Sequence, residues 1–340
     1  MKLFLIRYLF ICLAAVACIA SPVAHAAGYL QRDDVQSFID DIAATYAFDR
    51  VALYAAFHAA EPQPGALRAI RPPADPRARS WQAYRARFVE PRRIAAGKAF
   101  MRQYAEALAA ARARFGVPEE IIAAILGVET IYGQHMGDYP VFDVLVTLAF
   151  DYPPRAEQFR RELTELLLLA REEHRPLTSY VGSYAGAIGW PQFLPSSYRK
   201  YAVDFDDDGK IDLANDPVDA IGSAANFLAA HGWVADAPIA DPVVIRGDGL
   251  DALLATGISP QFRPEDLSAH DVRVWKKVGA GETAADASLP DLPAAVIDLP
   301  TPDAATEYRL GYANFYVITR YNRSSFYAAA VMDLAAALRE

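Results

Sequence analysis

A carboxyl group stands on the hydrocarbon stripe of the run Glu119-Glu120-Ile121-Ile122-Ala123-Ala124-Ile125-Leu126-Gly127-Val128-Glu129-Thr130. At about 3.6 residues per helical turn, Ile122, Ile125, Leu126 and Glu129 share one face, so Glu129 is directed inward. Burial disfavours the ionised form and keeps the proton in place near neutral pH. Such a group is a general acid, and cleavage of a glycosidic bond needs one for its leaving oxygen. The spacing also fits a glutamate at a helix end that reaches water or pairs with an arginine. Glu119 and Glu120 have a simpler role in the first turn, where they complement the helix dipole, and Pro118 suits the helix start.

A second cluster is Asp204-Phe205-Asp206-Asp207-Asp208-Gly209-Lys210-Ile211-Asp212. Asp204, Asp206 and Asp208 supply carboxylates at alternate positions, followed by the turn glycine Gly209 and apolar Ile211, as an EF-hand calcium loop begins. The loop departs from that pattern at its last position, where Asn215 stands instead of a glutamate. It must close differently, or it is a solvated acidic turn. No His or Cys in it points to zinc. Asp216-Pro217-Val218-Asp219 reads as an N-cap, a proline at the first turn and an acid two positions on.

The elements that must position these groups are mostly helical. Apolar spacing predicts helices over 33–58, 90–115, 118–131, 155–173, 217–230 and about 324–338. Gly116 should end the second of these. Residues 62–76 form a Pro-rich loop, 182–189 a Gly-rich stretch and 204–216 the acidic loop. Pro, Asp and Gly rise over 237–300 around short β-like runs such as Val243-Val244-Ile245, which predicts a small β-containing insertion. Asn314–Arg320 reads as a strand or extended segment. There is no internal repeat and no heptad pattern.

Lys2 and Arg7, an apolar run over 8–20 and Ala24-His25-Ala26 have the layout of a secretory signal peptide cleaved after Ala26. The alternative is a lipid anchor on Cys18, which follows Ala15-Val16-Ala17. Both cysteines, Cys12 and Cys18, lie inside this segment. The exported chain would therefore be held by its core, by a metal or by both, without disulfides. The formal net charge of −9 becomes more negative when Lys2 and Arg7 are removed. Nucleic acid is then an unsuitable partner, because phosphate binding needs basic surface. No later stretch is long and apolar enough for a transmembrane helix.

The wider string is more specific than any of these parts. Gly127-Val128-Glu129-Thr130 is followed by Tyr132-Gly133, by Gly182-Ser183-Tyr184-Ala185-Gly186-Ala187-Ile188-Gly189, and by Gln192-Phe193 and Pro195-Ser196-Ser197-Tyr198. Then come Asp216-Pro217-Val218-Asp219-Ala220-Ile221-Gly222, His231-Gly232-Trp233 and Ile318-Thr319-Arg320-Tyr321-Asn322. This ordered set resembles the lytic murein transglycosylase B family from about Trp81 onwards, most clearly over 116–233 and 312–338.

The resemblance implies a mainly α (α+β) fold: a lysozyme-like catalytic core, an N-terminal helical part and a small β-containing insertion. The expected divisions are a signal peptide at 1–26, a helical domain at 27–115, the core with its EF-hand-like loop at 116–236, the insertion at 237–305 and a return to the core at 306–340. The implied reaction cleaves the β-1,4 bond between N-acetylmuramic acid and N-acetylglucosamine in peptidoglycan and leaves a 1,6-anhydromuramoyl end. Glu129 falls on the family's single acid/base. A second carboxylate is not needed, since the substrate's N-acetyl group can stabilise the oxocarbenium-like centre. Asp138, Asp143 and Asp151 are accordingly expected in capping, turn or surface roles.

By position, Ser183, Gln192, Tyr321 and Asn322 match substrate contacts, and Tyr327 is expected in the cleft wall. Sugars offer hydroxyls and amides to Ser, Gln and Asn, and flat C–H faces to Tyr. Ser183 could instead cap a turn, and Tyr321 could fill core space. The resemblance also points to structural calcium held by Asp204, Asp206, Asp208, the Lys210 carbonyl and Asp219. The chain departs from the family at Trp190-Pro191, where a smaller, more flexible pair is usual. Partners implied are peptidoglycan strands in the periplasm and cell-wall synthesis or division proteins. The competing readings are a hydrolytic muramidase, a non-catalytic peptidoglycan-binding or scaffold protein, and a calcium-dependent structural protein.

Overall fold

The computed structural model describes residues 28–72, 79–263, 272–278, 282–284 and 289–340. The leader with Cys12, Cys18 and Ala24–Ala26 lies outside the described residues. Contacts divide the chain into one unit ending at Ala59 and a second running from Ala60 to Glu340.

In the first unit, α1 (Asp33–Tyr46) and α2 (Arg50–Ala59) replace the single helix expected over 33–58. The break falls at Ala47, which is left-handed with φ 54°. Asp49 then accepts the Val51 N–H at 2.9 Å and starts the second helix. Val35, Ile39 and Ile42 of α1 and Leu53 and Phe57 of α2 are buried, as their spacing requires.

The second unit begins with α3 (Pro64–Ala69), α4 (Trp81–Phe88), α5 (Pro91–Gln103) and α6 (Ala105–Phe115). The stretch expected as one helix over 90–115 turns at Tyr104, and Gly116, left-handed at φ 71°, ends it. Next is α7 (Glu119–Thr130), buried continuously from Ile121 to Val128. A helix apolar on every side must be enclosed, and α5, α6 and two later helices enclose it. The short strand β1 (Tyr139–Pro140) leads into α8 (Val141–Asp151), and α9 (Ala156–Glu172), with Phe159, Leu163, Leu166 and Leu167 buried, packs along α8. Strand β2 (Val181–Gly182) pairs antiparallel with β1. Helices α10 (Pro195–Tyr201) and α11 (Pro217–Ala230) flank the acidic loop.

The sheet is antiparallel, in the order β5-β4-β3-β7-β6. Its strands are β3 (Ala240–Arg246), β4 (Arg273–Val278), β5 (Glu282–Ala284), β6 (Ala295–Leu299) and β7 (Glu307–Gly311), with α12 (Leu250–Ala255) after β3. Val243 pairs with Lys276 and Tyr308, and Ile297 with Arg309. Val243, Ile245, Leu253, Phe262, Val296 and Leu310 form a core of its own.

The chain then returns through α13 (Ala313–Tyr321) and α14 (Ser325–Arg339). The strand expected over Asn314–Arg320 is therefore a helix. Aromatic and β-branched residues read locally as strand, but tertiary contacts override that preference. Buried Asn314 receives the Val234 N–H at 2.9 Å and donates to the Val234 and Ala237 carbonyls. Phe315, Ile318 and Thr319 are buried at helical spacing. On α14, Asp333 accepts from Arg85 of α4 at 2.5 Å and from Arg309 of β7 at 2.8 Å, which ties helix, sheet and return segment together.

Candidate active site

Helix α7 ends abruptly. Ile131 and Tyr132 are both left-handed, at φ 52° and 55°, and Gly133 follows at φ 79°. Such conformations are costly for a β-branched and an aromatic residue, so the surroundings must hold them. Buried Thr130 accepts the Gly133 N–H at 3.0 Å and points its hydroxyl at the Trp190 carbonyl, 3.1 Å away. The Trp190 ring covers Gly133, where an added Cβ would lie 2.5 Å from the indole. From α5, Arg93 donates to the Gly127 carbonyl at 2.9 Å, and its other arm reaches the Arg87 carbonyl. The last turn of α7 is thus fixed from two sides.

Glu129 sits in this turn with only part of its surface open. Tyr327, near the start of α14, donates its hydroxyl to Glu129 Oε1 at 2.6 Å. The ring of Tyr321 lies 6.4 Å from that of Tyr327, at an interplanar angle of 13°. Tyr321 in turn donates to the Pro191 carbonyl at 2.8 Å. Since Pro191 follows Trp190, and Trp190 is held by Thr130, the contacts form a closed circuit around Glu129.

Burial pushes the Glu129 carboxyl up from 4.5 to about 7, and the Tyr327 hydrogen bond works against that by favouring the carboxylate. Among the described residues, no other carboxylate contributes to the shift. Burial, and then the charge of Glu129, holds the Tyr321 and Tyr327 phenols well above their ordinary value, so both remain donors. A half-protonated carboxyl at neutral pH with a fixed donor on one oxygen can give a proton and take one back.

The other expected contacts are reached through the backbone. Ser183 accepts the Ala187 N–H at 3.1 Å and so holds the turn of the Gly-rich stretch. Gln192, left-handed at φ 51°, donates to the Met136 and Gly189 carbonyls at 3.1 and 2.9 Å. Bridges from Gly182 to Ile188 and from Ile188 to Phe193 join these two turns. Asn322 caps α13 and is exposed. The structure therefore brings Glu129, Tyr321 and Tyr327 into direct or stacked contact and leaves Ser183, Gln192 and Asn322 on the adjoining turns. Asp138 and Asp151 are exposed, and Asp143 lies in the first turn of α8. A cavity of 330 Å³ at the opposite end of α7, between Pro118 and Trp233, holds a 3.3 Å ion pair of Glu120 with Arg339.

Sequence reading did not identify Thr130, Arg93 or Tyr84 as parts of the site. The charge of Glu129 reaches the Tyr84 phenol, which burial raises first and Arg87 lowers. The rigid pair Trp190-Pro191, expected only as a departure, proves central. Trp190 donates through its backbone to Leu213 and through its indole to Ala214, at 2.8 and 3.2 Å. It therefore links the turn beside Glu129 to the acidic loop.

In that loop, oxygens of Asp204, Asp206 and Asp219 lie within 4.8 Å of one another. Asp219 is 1% exposed and accepts the Phe205 and Asp212 N–H groups at 2.7 and 2.8 Å. Asp204 accepts from Gly209 at 2.8 Å, and Asp208 accepts from Lys210 at 2.8 Å. The Asp208 carboxylate does not join the cluster of three. Asp216 caps α11 by accepting from Val218 at 2.7 Å. Three convergent carboxylates, one of them buried with no basic partner among the described residues, form an oxygen donor set that fits a hard divalent cation such as calcium.

Residues 30–336 match the family described as Transglycosylase SLT domain. The chain is 38% identical over 321 residues to the membrane-bound lytic murein transglycosylase B of Escherichia coli, spanning 91% of this chain and 84% of that protein. A soluble lytic transglycosylase from Pseudomonas aeruginosa has 42% identity and a TM-score of 0.80, covering 90% of this chain and 98% of the other. An Escherichia coli lytic transglycosylase solved in complex with calcium has 38% identity and a TM-score of 0.73, covering 89% and 92%.

Proposed function

Because the chain belongs to the transglycosylase SLT domain family, whose lytic enzymes cut peptidoglycan glycan strands to anhydromuramoyl ends, we propose that Glu129 alone supplies the acid and the base for that reaction. The observation that carries this is a carboxyl raised to about 7 with no second carboxylate acting on it. In the first step Glu129 gives its proton to the glycosidic oxygen as the bond to the muramic acid C1 breaks. The substrate's N-acetyl group stabilises the positive charge that develops there. In the second step the Glu129 carboxylate takes the proton of the muramic acid 6-hydroxyl as that oxygen bonds to C1. The proton count closes and no water is consumed. Tyr327 holds one carboxylate oxygen through both steps, at 2.6 Å. Ser183, Gln192, Tyr321 and Asn322 serve the sugars along the cleft.

Calcium, when bound, would staple the segment after Gln192. Asp204, Asp206 and Asp219 would hold it, with Asp208 and the Lys210 carbonyl. The buried Asp219 supports this. Residues 116–236 with 306–340 make up the catalytic core, and 237–305 the insertion. The leader pattern supports action in the periplasm, with an outer-membrane anchor on Cys18 as the alternative. Among the described residues no helix is long and apolar enough to cross a membrane.

The test is to incubate the chain from residue 27 with peptidoglycan sacculi and weigh the soluble products, with Glu129→Gln alongside. Anhydromuropeptides from the parent and none from Glu129→Gln support the assignment. Reducing-end products would make the enzyme a hydrolase. No soluble product from folded, calcium-loaded protein would favour a binding or scaffold role.

A further inference from the structure

A groove of 490 Å³ runs between α4 and the turn into α14, lined by Arg79, Tyr84, Arg87, Ser324 and Phe326 among others. It adjoins the acid through the chain and through side chains. Phe326 precedes Tyr327 and meets the Tyr84 ring edge-on, with centroids 5.5 Å apart. Ser324 accepts the Tyr327 N–H at 3.4 Å. Arg93 binds the carbonyls of both Arg87 and Gly127, so the groove and the last turn of α7 share one frame.

Its charge is opposite to that of the whole chain. The formal net charge is −9, yet among the described residues the groove lining holds the guanidiniums of Arg79 and Arg87 and no carboxylate. Arg85, two residues before Arg87, is occupied by Asp333. Among the described residues, no carboxylate lies within ion-pair distance of Arg87 or Arg79. The Arg87 guanidinium rests over the Tyr84 ring, 5.0 Å from its centroid, and is exposed. A guanidinium steadied on an aromatic face offers its N–H fork to a carboxylate.

In peptidoglycan the sugars themselves are neutral, because the lactyl carboxyl of N-acetylmuramic acid is amide-linked to the peptide stem. The negative charges of the substrate lie on that stem. We propose that the Tyr84–Arg87 groove binds the carboxylates of the peptide stem carried by the muramic acid at Glu129. The stem then contributes to binding beside the bond that breaks. This rests on the lytic reading above.

The experiment compares kcat/KM for anhydro-product release from glycan strands with native stems and from the same strands after their carboxylates are capped as methylamides. The parent enzyme should prefer native strands about tenfold, through KM, as expected for a charge-assisted pair. Arg87→Gln should bring the ratio close to one, and Arg87→Lys should restore part of it. A parent ratio of one overturns the proposal, as does a preference that survives in Arg87→Gln. Anhydro products absent from both strand types in the parent would bring down the lytic reading itself.

Discussion

Tyr327 donates a hydrogen bond through its phenolic hydroxyl to a carboxylate oxygen of Glu129 across 198 residues of chain. The contact sets two properties of the acid at once. It fixes the carboxyl in place, and it limits how far burial can raise the pKa.

Glu129 should make the protein less stable as pH rises. Its carboxyl moves from 4.5 when unfolded to about 7 when folded, so the native state binds the proton more tightly. The stability this gives is complete below about pH 4.5 and is lost as pH rises through 7, reaching about 3 kcal/mol. Urea unfolding of the parent and Glu129→Gln should therefore coincide at pH 4 and diverge by pH 8, with Glu129→Gln the more stable. Parallel curves across that range would contradict the buried acid.

Tyr327→Phe removes a hydrogen bond that favours the ionised form. The pKa of Glu129 should rise further, and the alkaline limb of the pH–rate profile should move to higher pH. At pH 6 the rate should fall roughly tenfold, because the carboxyl is held less firmly and a charge-assisted bond of about 1.5 kcal/mol is lost. An unmoved limb would mean that the phenol does not act on the carboxyl.

Calcium should raise the melting temperature, by roughly 5 °C at a hundredfold excess over its dissociation constant. Asp219→Asn should abolish that response. Asp208→Asn should keep part of it, since Asp208 stands outside the cluster of three carboxylates. Equal responses from these two variants in differential scanning fluorimetry would count against the ligand set. Because Trp190 donates to Leu213 and Ala214, calcium removal should also slow product release.

Gly133→Ala should cost more than about 2 kcal/mol, from a left-handed alanine and from displacement of the Trp190 ring. The damage should extend to kcat, because Pro191, the acceptor for Tyr321, follows Trp190. A variant with lowered thermal stability but parent kcat at 20 °C would separate the turn from the acid.

Much of this site could be read along the chain, and the reason is local. The stripe of Ile122, Ile125 and Leu126 announces the buried face of α7, and Glu129 is conspicuous on it because carboxyls are costly there. Alternate aspartates before Gly209 announce a loop able to hold a cation. Contacts between distant segments leave no such trace. Nothing in the sequence joins Thr130 to Trp190, or Arg93 to Gly127 and Arg87. The segment Asn314–Arg320 misled for the same reason: its helix depends on Asn314 binding Val234 and Ala237, some 80 residues away. Residues 33–58 and 90–115 were legible as helical, but their breaks at Ala47 and Tyr104 were not, because neither residue is a glycine or proline that would mark a turn.

The sheet from β3 to β7 carries its own core and lies between α11 and the helices that complete the site. That order imposes a schedule. A chain emerging from its amino end presents α7 early, with Glu129 unpartnered. Tyr321 and Tyr327 follow only after the five strands of the sheet, of which β4–β5 and β6–β7 pair locally while β3 pairs with β7 across α12 and the strands between. The β3–β7 pairing forms slowly, since it closes a long loop first. Glu129 therefore gains its phenol partner only from the last part of the chain to be made, so a chain cut short of Tyr327 lacks the group that holds this carboxyl.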